Sequence, residues 1–147
     1  MNAMLKKDIE TELSIHAQYD NAVKNGDEAG KQAARAAHKA HEEQIMAQGR
    51  GYHRVFRMAM DAHERGNDAI DLYDCLFDKD IEPLMDSFQQ AGITRFTFSS
   101  TWSRSVEIAW EFTQYGYQLK GITEINGLCR DIFTNEREKL HALVFEM

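Results

Sequence analysis

The sequence predicts an α+β protein: a helical N-terminal half of four to five helices, packed with a small three-stranded C-terminal βαββ sheet. Three observations predict it. Apolar residues recur at three- and four-residue spacing to about residue 92, and from Arg95 the period shortens to two. Nine glycines and a single proline among 147 residues imply long elements separated by few sharp stops.

From Ala3 to about Lys24, Leu5, Ile9, Leu13, His16 and Val23 recur at helical spacing with charges between them. Asn25-Gly26-Asp27 stops this helix and offers Asp27 as the next N-cap. The second helix runs to about Gln48 and is rich in alanine (Ala29, Ala33, Ala36, Ala37, Ala40, Ala47). Small residues let a neighbouring helix approach closely, so an antiparallel hairpin is expected, with the same face also open to a second copy of the chain. Gly49-Arg50-Gly51 breaks the pattern before a third helix, Tyr52 to Arg65, with Val55, Phe56, Ala59 and Met60 on its apolar side and a stop at Gly66-Asn67. Asp68 can cap a fourth helix bearing Ile70, Tyr73 and Phe77. Asp80 can cap a fifth, with Pro83 in its first turn and Leu84, Met85 and Phe88 leading to Gly92. On a shared axis, Ile70, Tyr73, Phe77, Ile81, Leu84 and Phe88 form one stripe and the neighbouring acids another; Pro83 argues against full continuity.

Beyond Gly92, Arg95 to Ser99 alternates around Phe96 and Phe98 and reads as a strand. Ser100, Thr101 and Ser103 are N-cap candidates for a helix through Tyr115 bearing Trp102, Val106, Trp110 and Phe112. Tyr117 to Asn126 and Leu140 to Met147 read as two further strands, joined by a polar connection with a turn at Thr134-Asn135. Strand, helix and strand in succession favour a right-handed parallel crossover, and the last two strands should pair antiparallel. No repeat or linker divides the chain, so residues 1–147 are expected as a single domain, helical over 1–92 and βαββ over 93–147.

Composition excludes several function classes. No apolar run approaches the roughly 20 residues that cross a bilayer, and the opening MNAMLKKDIETEL lacks a signal-peptide core, so no membrane association and a cytoplasmic location are expected. Cys75 and Cys129 are too few and too distant for a disulfide framework or a zinc site. A net charge of −7 argues against direct nucleic-acid binding, which depends on cations neutralising phosphates. Binding through Lys31, Arg35, Lys39, Arg50, Arg54 and Arg57 is the weakest option, because acids nearly balance them.

The charge is concentrated. Residues 61–86 carry nine acids against Arg65 and Lys79, and so account for the whole excess of −7. Asp68, Asp71, Asp74, Asp78, Glu82 and Asp86 are therefore the candidate partner-binding residues. Carboxylates one helical turn apart, about 5.4 Å, approximate the spacing of phosphates along a strand and could dock on a basic groove. Reversing Asp71, Asp74 and Asp78 to lysine should then abolish docking and leave the fold intact. The plainer reading is the wet side of an amphipathic helix. A second candidate is Ser99, Ser100, Thr101 and Arg104, where a strand end feeds a helix N-terminus that could bind an anion. Simple capping is the plainer alternative there.

Catalytic motifs are absent. Gly26 to Lys31 lacks the spacing and preceding strand of a phosphate loop, and no serine lies in a nucleophile elbow. His38 and His41 stand one turn apart on the second helix, a spacing that can chelate, but no further ligand is identifiable, so no metal and no cofactor are expected. The chain is expected not to be an enzyme.

Residues 93–147 resemble small uncharacterised domains of gut Firmicutes, their phages and conjugative elements. The resemblance rests on FTFSSTWSRSVEIAWEF, YGYQLKGITEING and the closing LHALVF. It implies a mobile-element context and a bacterial host cell, where small acidic proteins often inhibit host defence, anti-CRISPR proteins among them. The expected function is therefore a non-enzymatic accessory protein that binds and inhibits a nucleic-acid-handling protein, a Cas effector being one example, through the acidic surface. The alternative is a small-ligand or anion-binding domain using residues 99–104.

Overall fold

The computed structural model describes residues 1–73, 78–100 and 103–147, with Asp78 described by its backbone alone. The chain forms two compact units, residues 1–56 and 57–147.

The first unit contains α1 (Ala3–Lys24), α2 (Glu28–Ala47) and the start of α3 (Arg50–Arg65). Asn2 caps α1 by accepting from the Leu5 N–H at 2.9 Å, and Asp27 caps α2 by accepting from the Gly30 N–H at 2.9 Å. The expected antiparallel hairpin forms: Glu12 meets His38 and His41 while Tyr19 meets Arg35. Its seam differs from the expected one. Ala29, Ala33, Ala36, Ala40 and Ala47 are exposed, and α2 turns Ala34, His41 and Ile45 inward against Leu5, Glu12 and Ile15 of α1. Alanine runs around the whole helix and so does not mark a face; the histidines do, because Glu12 gives them a buried partner.

The second unit holds the rest of α3, then β1 (Ile70–Leu72), α4 (Asp78–Gln90), β2 (Arg95–Phe98), α5 (Ser105–Gln114), β3 (Gln118–Arg130) and β4 (Arg137–Glu146). The fold class is α+β, but the sheet has four strands, in the order β1-β2-β4-β3. β1 pairs parallel with β2, while β4 lies antiparallel between β2 and β3. The crossover from β2 through α5 to β3 therefore links strands of the same direction with β4 inserted between them.

The fourth strand stands at Ile70–Leu72, where the sequence predicts the start of a helix capped by Asp68; residues 74–77 lie outside the described residues. Ile70, Asp71 and Leu72 are all buried and pair with Phe96, Thr97 and Phe98. A three-residue strand shows no alternation, and an aspartate at its centre imitates the wet side of a helix. Asp80 lies inside α4 rather than capping it, and Pro83 is also within that helix. α5 starts at Ser105, with Arg104 rather than a serine at the N-cap position and making no side-chain capping bond; Thr101 lies outside the described residues. Cys75, Phe77 and Trp102 lie outside the described residues.

α3 and α4 end alike, at Gly66 (φ +71°) and Gly92 (φ +65°). The residues that follow donate back across the helix end, Asn67 to the Ala62 carbonyl and Ile93 to that of Phe88. One sheet face is aromatic: Phe96 contacts Phe88 of α4, Phe112 of α5, Phe145 of β4 and Tyr117. Tyr117 donates its hydroxyl to the Ile93 carbonyl, and burial pushes its pKa to about 12. The opposite face carries Asp71, Thr97, Ala142 and Val144. Among the described residues no helix is long and apolar enough to cross a membrane.

Candidate functional sites

The first site is built on the helical hairpin. Glu12 is 4% exposed, and three imidazoles converge on its carboxylate. His41 Nδ1 lies 2.7 Å from Oε2, while His38 Nδ1 at 2.5 Å and His16 Nε2 at 3.0 Å share Oε1. His38 Nε2 faces Glu42 Oε2 at 3.4 Å, and Glu42 Oε1 is 3.4 Å from His53 Nε2. His41 Nε2 is buried without a hydrogen-bond partner, 3.8 Å from Asp8 Oδ1. Asp8 accepts from the Tyr52 hydroxyl at 2.5 Å. Burial acts to raise the Glu12 pKa, but the hydrogen bonds from His41 and His38 and the charges of His38 and His16 outweigh it and hold the carboxyl below its ordinary range.

A depressed carboxyl stabilises the fold above its unfolded pKa, and that contribution disappears as pH falls through the folded value. Glu12→Gln should accordingly destabilise the chain by about 1.5–3 kcal/mol at neutral pH, the worth of hydrogen bonds to a charged group. The difference from wild type should narrow below the ordinary carboxyl value of 4.5. Urea titrations followed by circular dichroism at several pH values check this, and a pH-independent difference would refute it.

The second site is a buried acid in the sheet unit. Asp71 is 2% exposed and accepts from Thr97 Oγ1 at 2.8 Å and from Ser99 Oγ at 2.6 Å. Arg65 Nη1 stands 3.9 Å from it, and the same guanidinium pairs with Asp61 at 2.5 Å. Burial raises the Asp71 pKa, against the lowering effect of Ser99, Thr97 and Arg65. Nearby, a polar cleft of about 200 Å³ is lined by Asn67, Asp68, Arg95, Thr97, Asn126 and Lys139 among others. Asn126 closes one side by exchanging hydrogen bonds with Asn67 and donating to the Arg65 carbonyl at 2.7 Å.

The third is a surface on α4 and α5. Glu82 and Asp86 are exposed on α4, and together with Glu111 of α5 their charges help raise the Tyr115 pKa, after desolvation. The ion pairs of the sheet unit among the described residues engage Asp61, Glu64, Asp71, Glu107, Glu124 and Glu146 instead. α5 also exposes Val106 (78%) and Trp110 (59%), both expected on its apolar side. Edge strand β3 exposes Leu119 and Ile122, which lie opposite Phe145 and Leu143 and so project to the face that α5 covers.

The structure separates the residues of the expected acidic stripe. Asp71 is a correction: it lies inside the sheet, because Thr97 and Ser99 supply hydroxyls that an exposed helix would not, and it cannot face a partner. Asp68 is exposed but lines a cleft shared with Arg95 and Lys139. Asp74 and the Asp78 side chain lie outside the described residues, as does Thr101. Of the six acids, Glu82 and Asp86 are the two the structure places on one exposed helix face. Of the residues around 99–104, Ser99 turns inward to Asp71, Ser100 is half-buried, and exposed Arg104 pairs with Glu107 at 2.7 Å. Glu12 and His16 do not stand out in the sequence. Their i,i+4 spacing on α1 is a usable signal, but only the hairpin register joins it to His38 and His41.

Residues 54–147, roughly the C-terminal two-thirds, fit a family model described as a domain of unknown function, DUF7698. No curated protein and no solved structure matches the chain.

Proposed function

We propose that this protein, which belongs to the DUF7698 family of domains of unknown function, is a non-enzymatic binding protein whose α4–α5 surface docks on a protein with a basic nucleic-acid-binding groove. The observation that carries the reading is that Glu82 and Asp86 stand exposed one turn apart on α4 and enter none of the ion pairs found among the described residues, while their charges and that of Glu111 act on Tyr115. Uncompensated carboxylates at a helix–helix seam attract a cationic surface at long range and accelerate its encounter. Val106 and Trp110 on the same helix as Glu111 supply apolar contact, and an exposed tryptophan is a frequent energetic anchor of interfaces. The proposed biological setting is a mobile element, with the protein acting as an inhibitor of a host nucleic-acid-handling protein such as a Cas effector. Docking at the groove would compete with the phosphate backbone for the same cations.

The test is a tagged pull-down from nuclease-treated bacterial lysate, comparing wild type with the triple variant Glu82→Lys/Asp86→Lys/Glu111→Lys. Wild type should capture a basic nucleic-acid-binding protein in a salt-sensitive manner, and the triple variant should lose at least tenfold of it with its circular dichroism unchanged. Equal capture by both, or capture indifferent to salt, overturns the proposal.

A further inference from the structure

We propose that Glu12, His16 and His38 form a binding site for a divalent transition-metal ion of the zinc class. Each presents one donor atom, and the three donor atoms lie within 4.8 Å of one another. Two imidazoles and one carboxylate are the donor set of open zinc and non-haem iron centres, in which remaining positions are left for water or a substrate. Borderline ions of this kind prefer imidazole, whereas calcium and magnesium demand oxygen donors.

The groups around the three donors are arranged as a metal site requires. Glu12 divides its oxygens. Oε2 is held by His41 Nδ1 at 2.7 Å, which fixes the carboxylate plane, and Oε1 is presented to His16 and His38. His38 directs Nδ1 at Oε1 and Nε2 at Glu42 Oε2, 3.4 Å away. With the metal on Nδ1, the neutral ring carries its N–H at Nε2, where Glu42 can accept it. This carboxylate–histidine–metal relay is the usual second layer of such centres. His41, 5% exposed, is itself held in place by the edge of Phe56, ring centroids 5.8 Å apart, so the carboxylate it orients is not free to swing.

Access is provided as well. His16 and His38 are partly exposed and line a cleft of about 320 Å³ with Tyr19, Asp20 and Arg35. The open coordination positions therefore face solvent, and the buried side of the site is closed by Glu12 and His41. The donor atoms now stand 2.5 and 3.0 Å from Oε1. Tetrahedral coordination at about 2.0–2.1 Å sets donor atoms about 3.3–3.4 Å apart, so His38 Nδ1 must draw back by about 0.8 Å and His16 Nε2 by about 0.3 Å, which the two partly exposed histidine rings can do by rotation.

The experiment uses the full, tag-free chain with Co²⁺ as the spectroscopic probe and Zn²⁺ in calorimetric titration. Wild type should bind one equivalent, release protons, show the visible absorption of nitrogen- and oxygen-ligated Co²⁺ and gain thermal stability, while Mg²⁺ at the same concentration does none of these. His16→Gln removes a donor that is largely exposed and so leaves the hairpin folded; it should weaken binding at least tenfold. Glu12→Gln should do the same, and His63→Gln, outside the cluster, should change nothing. Absence of saturable binding, or unchanged affinity in His16→Gln, overturns the proposal, the second result assigning binding to scattered surface histidines.

Discussion

Asp71→Lys is expected to unfold the 57–147 unit. The Asp71 side chain is fully buried, with two hydroxyls donating to it and the Arg65 guanidinium at 3.9 Å. Lysine would remove both acceptors, leave the Ser99 hydroxyl without its carboxylate partner and Thr97 with only the Ile70 carbonyl at 3.4 Å, and place a second cation beside a buried arginine. Removing one partner of a buried charge pair costs about 3–5 kcal/mol, and an added unpaired charge costs more. That is comparable with the whole stability of a domain, about 5–15 kcal/mol. The expectation drawn from sequence alone, that charge at this position can be reversed without disturbing the fold, is thus replaced by its opposite.

Asp71→Asn separates charge from hydrogen bonding. Because burial raises the Asp71 pKa, the folded state holds its proton to higher pH than the unfolded chain does. Stability from this group therefore declines as pH rises from the ordinary value of 3.8 through the raised one. Asparagine keeps an acceptor for Thr97 and has no such dependence. It should remain folded, within about 1–2 kcal/mol of wild type at neutral pH. Urea titrations of the full chain at neutral and acidic pH read both variants. A lysine variant with the wild-type midpoint would refute the buried-acid account.

Phe96→Ala is the second large effect. Phe96 is 0% exposed, and its ring centroid lies 4.9–5.5 Å from those of Tyr117, Phe112, Phe145 and Phe88. It touches side chains from α4, α5, β4 and the approach to β3, and Phe98 adds a second contact to Phe112. Truncating a buried phenylalanine costs about 3–5 kcal/mol, from lost transfer energy and the cavity left behind. Four broken aromatic pairs place this site at the upper end of that range. Guanidinium denaturation and near-ultraviolet circular dichroism measure it, and a loss below about 1 kcal/mol would show that the face repacks. Trp110→Ala is the contrast: at 59% exposure it should change stability by no more than about 0.5 kcal/mol, while weakening the proposed partner contact.

Local signals are readable where the physics is local. The caps Asn2 and Asp27 hydrogen-bond to N–H groups three residues ahead, and Gly66 and Gly92 supply the positive φ that ends α3 and α4. Of these, Asp27 and the glycine stops stand out in the sequence without tertiary context. The turn at Asn135, with φ +60°, is equally legible, since asparagine tolerates that region. Strand β1 is not, because three residues carry no period and their state is decided by pairing with β2, twenty-six residues later. Val106 and Trp110 mislead in the other direction: apolar helical spacing marks a face, but says nothing about whether anything covers it.

By itself the sequence determined the α+β class, the three N-terminal helices, the crossover direction of β2 and β3, and the −7 charge confined to residues 61–86. All of these follow from spacing, capping or composition along contiguous chain. Only the tertiary structure decided which of those acids face solvent and which histidines meet a carboxylate. Asp71 went inside because Thr97, Ser99 and Arg65, distant in sequence, could satisfy it, and Glu12 because three histidines on two helices could. A buried charge is tolerated only where partners surround it, and those partners are assembled by the fold rather than by the neighbouring residues.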